Sequence, residues 1–146
     1  MIEDNEKIDV LNPEDERQIS AVMVRYATGI DSRDWGLFRT CFTDDFCGDY
    51  GRFGSWTSGE DITRSMEGMH ELLGPTLHRI TNIVMAAAPG GAVARTYVDA
   101  ILMSKEIGGG VNQAVGYYDD ELVRSDGGWR IKNRRFTMVR LVQSQT

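Results

Sequence analysis

The chain has 146 residues, a mass of 16.4 kDa and a formal net charge of -6 at pH 7, with 41% hydrophobic and 26% charged residues. That is the length of one domain with its own core, too apolar for a disordered chain, and it contains no run near the ~20 apolar residues of a membrane-spanning helix. An acidic chain repels phosphate backbones, which argues against nucleic acid as a partner. Two cysteines, Cys41 and Cys47, make no disulfide scaffold, and with only two histidines there is no zinc or redox motif. The acidic opening Met1-Ile2-Glu3-Asp4-Asn5-Glu6 lacks the basic and then apolar pattern of an export signal. A cytoplasmic protein with two small buried cysteines is therefore expected.

Residues 1–11 read as a flexible arm and residues 12–146 as a single domain. Asn12-Pro13-Glu14-Asp15 predicts a helix start, with a capping side chain, proline at the first helical position and acids near the positive end of the dipole. Ile19, Val22, Met23, Tyr26, Ala27 and Ile30 then recur at three- and four-residue spacing, one apolar stripe on a helix that Gly29 would terminate. Ser32-Arg33-Asp34 can cap a second, short helix carrying Trp35, Leu37, Phe38 and Phe42. Phe46 to Trp56, with Tyr50, Phe53 and three glycines, reads as a small strand pair. Ser58-Gly59-Glu60-Asp61 opens a third helix with Ile62, Met66, Met69 and Leu73 on its apolar side, and Gly74-Pro75 stops it.

The remainder is rich in Val, Ile, Thr, Tyr and Phe. Leu77–Ala87, Val93–Met103, Val111–Val123 and Trp129–Val142 predict four strands, separated by the turn signals Pro89-Gly90-Gly91, Gly108-Gly109-Gly110 and Asp126-Gly127-Gly128. No helical pattern lies between them, so they are expected to be antiparallel neighbours. The fold class is α+β: helices first, then a meander whose curved sheet the helices cover on one face, closing into a cone with an open mouth. Trp129 is expected to pack the sheet against the helices.

Three segments resemble a known family. They are Tyr26-Ala27-Thr28-Gly29-Ile30-Asp31-Ser32-Arg33-Asp34-Trp35 with Phe42-Thr43-Asp44-Asp45, Gly74-Pro75-Thr76-Leu77-His78-Arg79-Ile80-Thr81-Asn82, and Gly116-Tyr117-Tyr118-Asp119-Asp120-Glu121-Leu122 with Gly128-Trp129-Arg130-Ile131-Lys132-Asn133-Arg134-Arg135. Together they resemble the SnoaL-like branch of the nuclear transport factor two-like superfamily, over nearly the whole chain. The resemblance implies that family's cone-shaped, cystatin-like α+β barrel, and a homodimer or homotrimer. It is sharper to the scytalone dehydratase and bile-acid dehydratase type, and more distant to a dehydrochlorinase of the same fold. In those enzymes an acid after the first long helix pairs with a histidine on a central strand, and a tyrosine five residues before the acid often joins them. Here the matching residues are Asp31, His78 and Tyr26, with the histidine 47 positions after the acid. The scytalone type also uses a second histidine. No strand position here matches it, and His70 with Glu71 on the third helix reads as solvated surface.

The chemistry these residue types allow is proton removal beside a carbonyl. A neutral histidine is a competent base near neutral pH, and a carboxylate on its other ring nitrogen fixes the tautomer and stabilises the imidazolium. His78 would be the base and Asp31 its orienting carboxylate. Tyr26, or Tyr50 from the strand pair, would donate to the carbonyl or the leaving group. Neither cofactor nor metal enters this scheme. Tyr50, Phe53, Trp56 and Met69 are candidate walls of a pocket for a small apolar, aromatic or steroid-like ligand. Asn82, four residues beyond His78 and so on the same side of a regular strand, could orient a substrate oxygen, and Arg135 could bind an acidic group at the mouth. Each residue also has a purely structural reading: Asp31 as a cap of the second helix, His78 and Tyr26 as satisfied core residues, Asn82 as an end of regular pairing, and Arg135 as an exposed strand arginine. The expected activity is a cofactor-independent lyase of the dehydratase or isomerase kind. The alternatives are a polyketide-type cyclase using the same pair, or a non-catalytic ligand-binding or assembly module.

Overall fold

The structure is a computed structural model and describes residues 10–144. Most of the expected N-terminal arm lies outside the described residues; within them Val10 is exposed and Leu11 packs against the core. The chain runs α1 (Pro13–Asp31), α2 (Trp35–Arg39), β1 (Phe42–Asp49), a 3-10 turn (Gly51–Phe53), β2 (Ser55–Trp56) and α3 (Gly59–Glu71). Four long strands follow: β3 (Thr76–Ala88), β4 (Gly91–Met103), β5 (Val111–Ser125) and β6 (Gly128–Gln143). No helix among the described residues is long and apolar enough to cross a membrane.

The first helix begins as its sequence dictates. The Asn12 side chain accepts from the Asp15 N–H at 2.8 Å, and the Asp15 carboxylate accepts from the Asn12 N–H at 3.1 Å, a reciprocal capping box. Asp15 also accepts from Arg124 at 2.7 Å and from the Trp129 indole N–H at 3.2 Å, so Trp129 does pack the sheet against α1. The expected stripe of Ile19, Val22, Met23, Tyr26, Ala27 and Ile30 is buried. Gly29 does not terminate the helix, which runs on to Asp31. Its lack of a side chain serves a close crossing instead: a Cβ there would lie 2.9 Å from the Phe38 backbone nitrogen in α2. The chain turns at Arg33, in the left-handed region at φ 58°. The short second helix is capped by Asp34, whose side chain accepts from the Leu37 N–H, and it ends before Phe42.

Phe42 instead opens β1, which joins the sheet in parallel with β6, a pairing the turn signals do not announce. The strand order is β2-β1-β6-β5-β4-β3, with every other pair antiparallel. The sheet is curved but does not close, so the expected cone is left open between its edges β2 and β3. Helices rather than strand pairing cover the inner face, α1 against β3 and β6, and α3 against β1 and β2. Along β1 the inward positions are Phe46 and Gly48; Cys47 between them points out and is exposed, contrary to the expectation of two buried cysteines. The outer face carries the ion pairs Arg79–Asp99 and Arg95–Asp119 beside exposed Val93 and Tyr97.

Because the α1–α2 crossing sets where α1 ends, its disruption is expected to propagate. Gly29→Ala should destabilise the fold by about 1–3 kcal/mol, the usual cost of overpacking, read as a lower midpoint in urea unfolding with an unchanged slope.

Candidate active site

Asp31 is the last residue of α1, where the helix dipole is negative and an acid is unwelcome. It is held there by three donors. Oδ1 accepts from the Thr76 hydroxyl at 2.9 Å and from His78 Nδ1 at 2.6 Å, and Oδ2 accepts from the His78 backbone N–H at 2.7 Å. Burial pushes the Asp31 carboxyl up, but the His78 ring, the His78 amide and the Thr76 hydroxyl outweigh it and hold it below its ordinary value. Arg33 fastens the same junction, donating to the carbonyls of Ile30 and Gly74 and to the Thr76 hydroxyl at 2.7–2.8 Å. With Asp34 capping α2, Asp31 is free of the capping role.

The carboxylate requires a proton on His78 Nδ1, which leaves the Nε2 lone pair free. The His78 side chain is 8% exposed and forms part of the wall of a cavity of about 210 Å³ between the inner face of the sheet and the helices. Tyr26, Tyr50, Tyr118, Phe53, Met69 and Phe136 line it, with the Phe136 ring against those of Tyr50 and Tyr118. The Tyr26 and Tyr50 hydroxyls lie 3.0 Å apart. Burial pushes all three tyrosines up, so each keeps its proton and can donate. Of the residues expected at a site, the structure brings together Tyr26, Asp31, His78, Tyr50, Phe53 and Met69 at or immediately behind this cavity.

Three others lie elsewhere. Trp56 stacks edge-on against Tyr50, with ring centroids 4.9 Å apart, and does not line the cavity. Asn82 is exposed at φ 52°, in a bulge where β3 slips register between Thr81 and Val84; the bulge ends the alternation that would have kept it beside His78. Arg135 is exposed and lines a separate groove of about 880 Å³ with Asp49 and Asp119, not the cavity that His78 lines. That groove, though larger, contains none of Tyr26, Asp31 or His78.

His70 is the main correction. It is 7% exposed, not solvated surface; it lines the cavity, and its ring centroid is 6.3 Å from that of His78. Its Nδ1 lies 2.7 Å from the Met66 carbonyl, which can only accept, so Nδ1 carries the proton. Nε2 is then a buried acceptor with no partner. Burial, helped by the nearby charges of Arg33 and His78, pushes the pKa of His70 down to about 4, so the ring is neutral at physiological pH. The sequence does contain the signal: His70 follows Met66 by one helical turn, on the apolar side of α3. Also missed are Tyr118 and Phe136, inward residues of β5 and β6.

A curved α+β sheet thus carries a carboxylate–histidine pair at the wall of an apolar pocket under the helices, on a cystatin-like scaffold. The chain belongs to the SnoaL-like domain family, whose model matches residues 13–135. No curated protein sequence matches it. Among solved structures it is similar to a Novosphingobium aromaticivorans protein provisionally assigned as a scytalone dehydratase, at 22% identity and a TM-score of 0.80, covering 90% of this chain and 88% of that one. It is also similar to a type 2 hexachlorocyclohexane dehydrochlorinase, LinA, at 17% identity and a TM-score of 0.79, covering 89% and 88%. A Kribbella flavida protein, Kfla4162, is 24% identical with a TM-score of 0.81, covering 88% and 93%. At these identities the likeness is one of fold.

The buried His70 predicts a pH dependence. Its folded pKa of about 4 lies below the ordinary 6.5, so between those values the unfolded chain binds a proton that the folded one refuses. Stability should therefore fall as pH drops from 6.5 toward 4, by up to about 3 kcal/mol from this group. Urea unfolding of the wild type and His70→Gln across that range checks this, and the variant should show the shallower decline.

Proposed function

We propose that the chain is a cofactor-independent lyase or isomerase of the dehydratase type, acting by general acid–base catalysis on a small or medium cyclic ketone held in the apolar cavity. The observation that carries this reading is the 2.6 Å contact of Asp31 with His78 Nδ1 at the wall of that cavity. Nε2 of His78, with no protein partner among the described residues, takes the proton from the carbon beside the carbonyl. Asp31 holds the ring in the right tautomer and stabilises the imidazolium as it forms. The C–H electron pair moves toward the carbonyl oxygen, which accepts a hydrogen bond from the Tyr26–Tyr50 pair; one hydroxyl of that pair always has a proton to spare. When a β-hydroxyl leaves, the carbon–carbon double bond forms, and the proton on His78 departs with it as water, which regenerates the neutral base. In isomerisation the same proton returns to a different carbon. The His70 Nε2 lone pair is the natural acceptor for a substrate hydroxyl or N–H, because filling it removes the cost of a buried unpaired acceptor.

The likeness to a provisionally assigned scytalone dehydratase and to a dehydrochlorinase supports elimination chemistry, since both names describe it. The test needs no knowledge of the natural substrate. Proton–deuterium exchange beside the carbonyl of bicyclic ketones such as β-tetralone is followed by NMR in heavy water. The wild type should accelerate exchange over buffer, and His78→Gln and Asp31→Asn should each lose about 100-fold or more of that acceleration, while circular dichroism confirms that they fold. No acceleration across the panel, or equal rates in His78→Gln, would overturn the reading in favour of a binding module.

A further inference from the structure

Behind the tyrosines lies a charge pair that the proposed chemistry does not use. Arg134 on β6 and Asp120 on β5 stand directly opposite each other across the ladder, and both side chains are fully buried. Nε and Nη2 of Arg134 donate to the two Asp120 carboxylate oxygens at 2.7 and 2.9 Å. This bidentate geometry uses one edge of the guanidinium. Nη1, on the other edge, is buried and has no hydrogen-bond partner. The flat face of the cation is occupied as well: its central carbon lies 3.8 Å from the centre of the Tyr118 ring and 4.4 Å from that of Tyr26. Tyr26 and Tyr118 in turn line the cavity, with ring centroids 5.5 Å apart.

Stability does not account for this arrangement. A buried ion pair is often no better than apolar residues of the same shape, and an orphaned cationic N–H adds a desolvation cost. What the pair does supply is a fixed dipole, its positive part against two tyrosine rings. A cation on the face of a phenol draws electron density from the ring and makes the hydroxyl a stronger donor. Burial remains the larger influence and keeps all three tyrosines protonated, but Arg134 works against it at each of them.

We propose that Arg134 and Asp120 are positioning residues that make the tyrosine end of the cavity its oxyanion end, so that the substrate is oriented with the oxygen that gains negative charge at the Tyr26–Tyr50 hydroxyls. This deepens the reading given above and rests on it for the reaction, but not for the binding preference. The substrate class it selects is a ketone that passes through an enolate, rather than a compound whose only electronegative group is a leaving halide. The positive charge reaches the substrate through the tyrosines, because Arg134 itself does not line the cavity.

Phenols of one shape and graded acidity are the probe: para-cresol, para-cyanophenol and para-nitrophenol, at a pH below their own ionisation. Their affinities are measured by calorimetry, and the absorption of bound para-nitrophenol reads its ionisation. Each phenol loses its proton to the buffer as its oxygen settles at the tyrosine hydroxyls, so the wild type should bind the most acidic about tenfold more tightly than the least acidic. Arg134→Lys, which keeps the charge but loses the planar stacking on the rings, should flatten this dependence and leave para-cresol little changed. Asp120→Asn removes the opposing charge and should steepen it, so the proposal does not rest on one buried variant folding. A merely structural role would weaken all three phenols alike. Affinities that ignore acidity in the wild type, or variants that shift every phenol equally, would overturn the proposal. Phenol binding requires no carbon–hydrogen cleavage, so failure here leaves the exchange experiment standing, and failure of exchange leaves this result standing.

Discussion

The geometry of the site depends on one junction, where the end of α1 meets the start of β3. An ionised carboxylate at a helix C-terminus is disfavoured by the dipole and by burial, and it persists only where donors converge on it. At Asp31 they come from a single dipeptide step along the strand: the Thr76 hydroxyl, the His78 amide and the His78 ring. Arg33 then fastens the turn to Gly74 and Thr76 from the other side. Its left-handed backbone is the local cost of turning the chain so that its guanidinium reaches back. With that junction made, the tautomer of His78 and the face it presents to the cavity are both determined. The glycine at position 29 matters for the same reason, because it lets α2 cross close to the last turn of α1.

The cavity is apolar in area but not in electrostatics. Aromatic and methionine side chains exclude water, which strengthens every polar interaction that remains. Three kinds of polar group survive there: a histidine with a carboxylate behind it, a histidine with none, and a pair of tyrosine hydroxyls backed by a guanidinium. Identical imidazoles are thereby given different roles. His78 holds a proton on Nδ1 against Asp31 and leaves Nε2 open, whereas burial keeps His70 neutral and limits it to accepting a hydrogen bond.

How far the sequence could be read is itself governed by regularity. The helix caps at Asn12, Asp34 and Ser58, the apolar stripe of α1 and the four long strands follow local rules, and they fold accordingly. Asp31 and His78, 47 residues apart, were legible only through resemblance, since nothing local announces that a helix end will meet a strand start. The errors cluster where alternation breaks. The bulge between Thr81 and Val84 shifts the inward positions of β3 from even to odd numbers, which carries Asn82 out of the site. A second slip, between Ile131 and Asn133, moves the inward positions of β6 from Ile131 to Arg134 and Phe136. The basic run Arg130, Lys132, Arg134 and Arg135 therefore hides one fully buried arginine, Arg134, with Arg135 beside it pointing out. A single inserted residue exchanges the two faces of a strand, and no composition rule foresees it.

Asp31 also removes the apparent choice between a structural and a chemical reading. β3 is an edge strand, paired with β4 alone, and the backbone N–H groups on its free side need acceptors or invite another strand. The His78 N–H is one such group, and Oδ2 of Asp31 accepts it while Oδ1 accepts from the ring of the same residue. One carboxylate thus closes the sheet edge and orients the imidazole. The two functions reinforce each other, because the backbone bond fixes where the carboxylate stands and the ring bond makes that position chemically useful. A carboxylate has just enough acceptor sites for this, whereas an amide has a single oxygen and would have to forsake either the strand or the imidazole. The demand for an acid at this position therefore comes from the edge of the sheet as much as from the imidazole, and the pair is built into the way the fold ends its sheet.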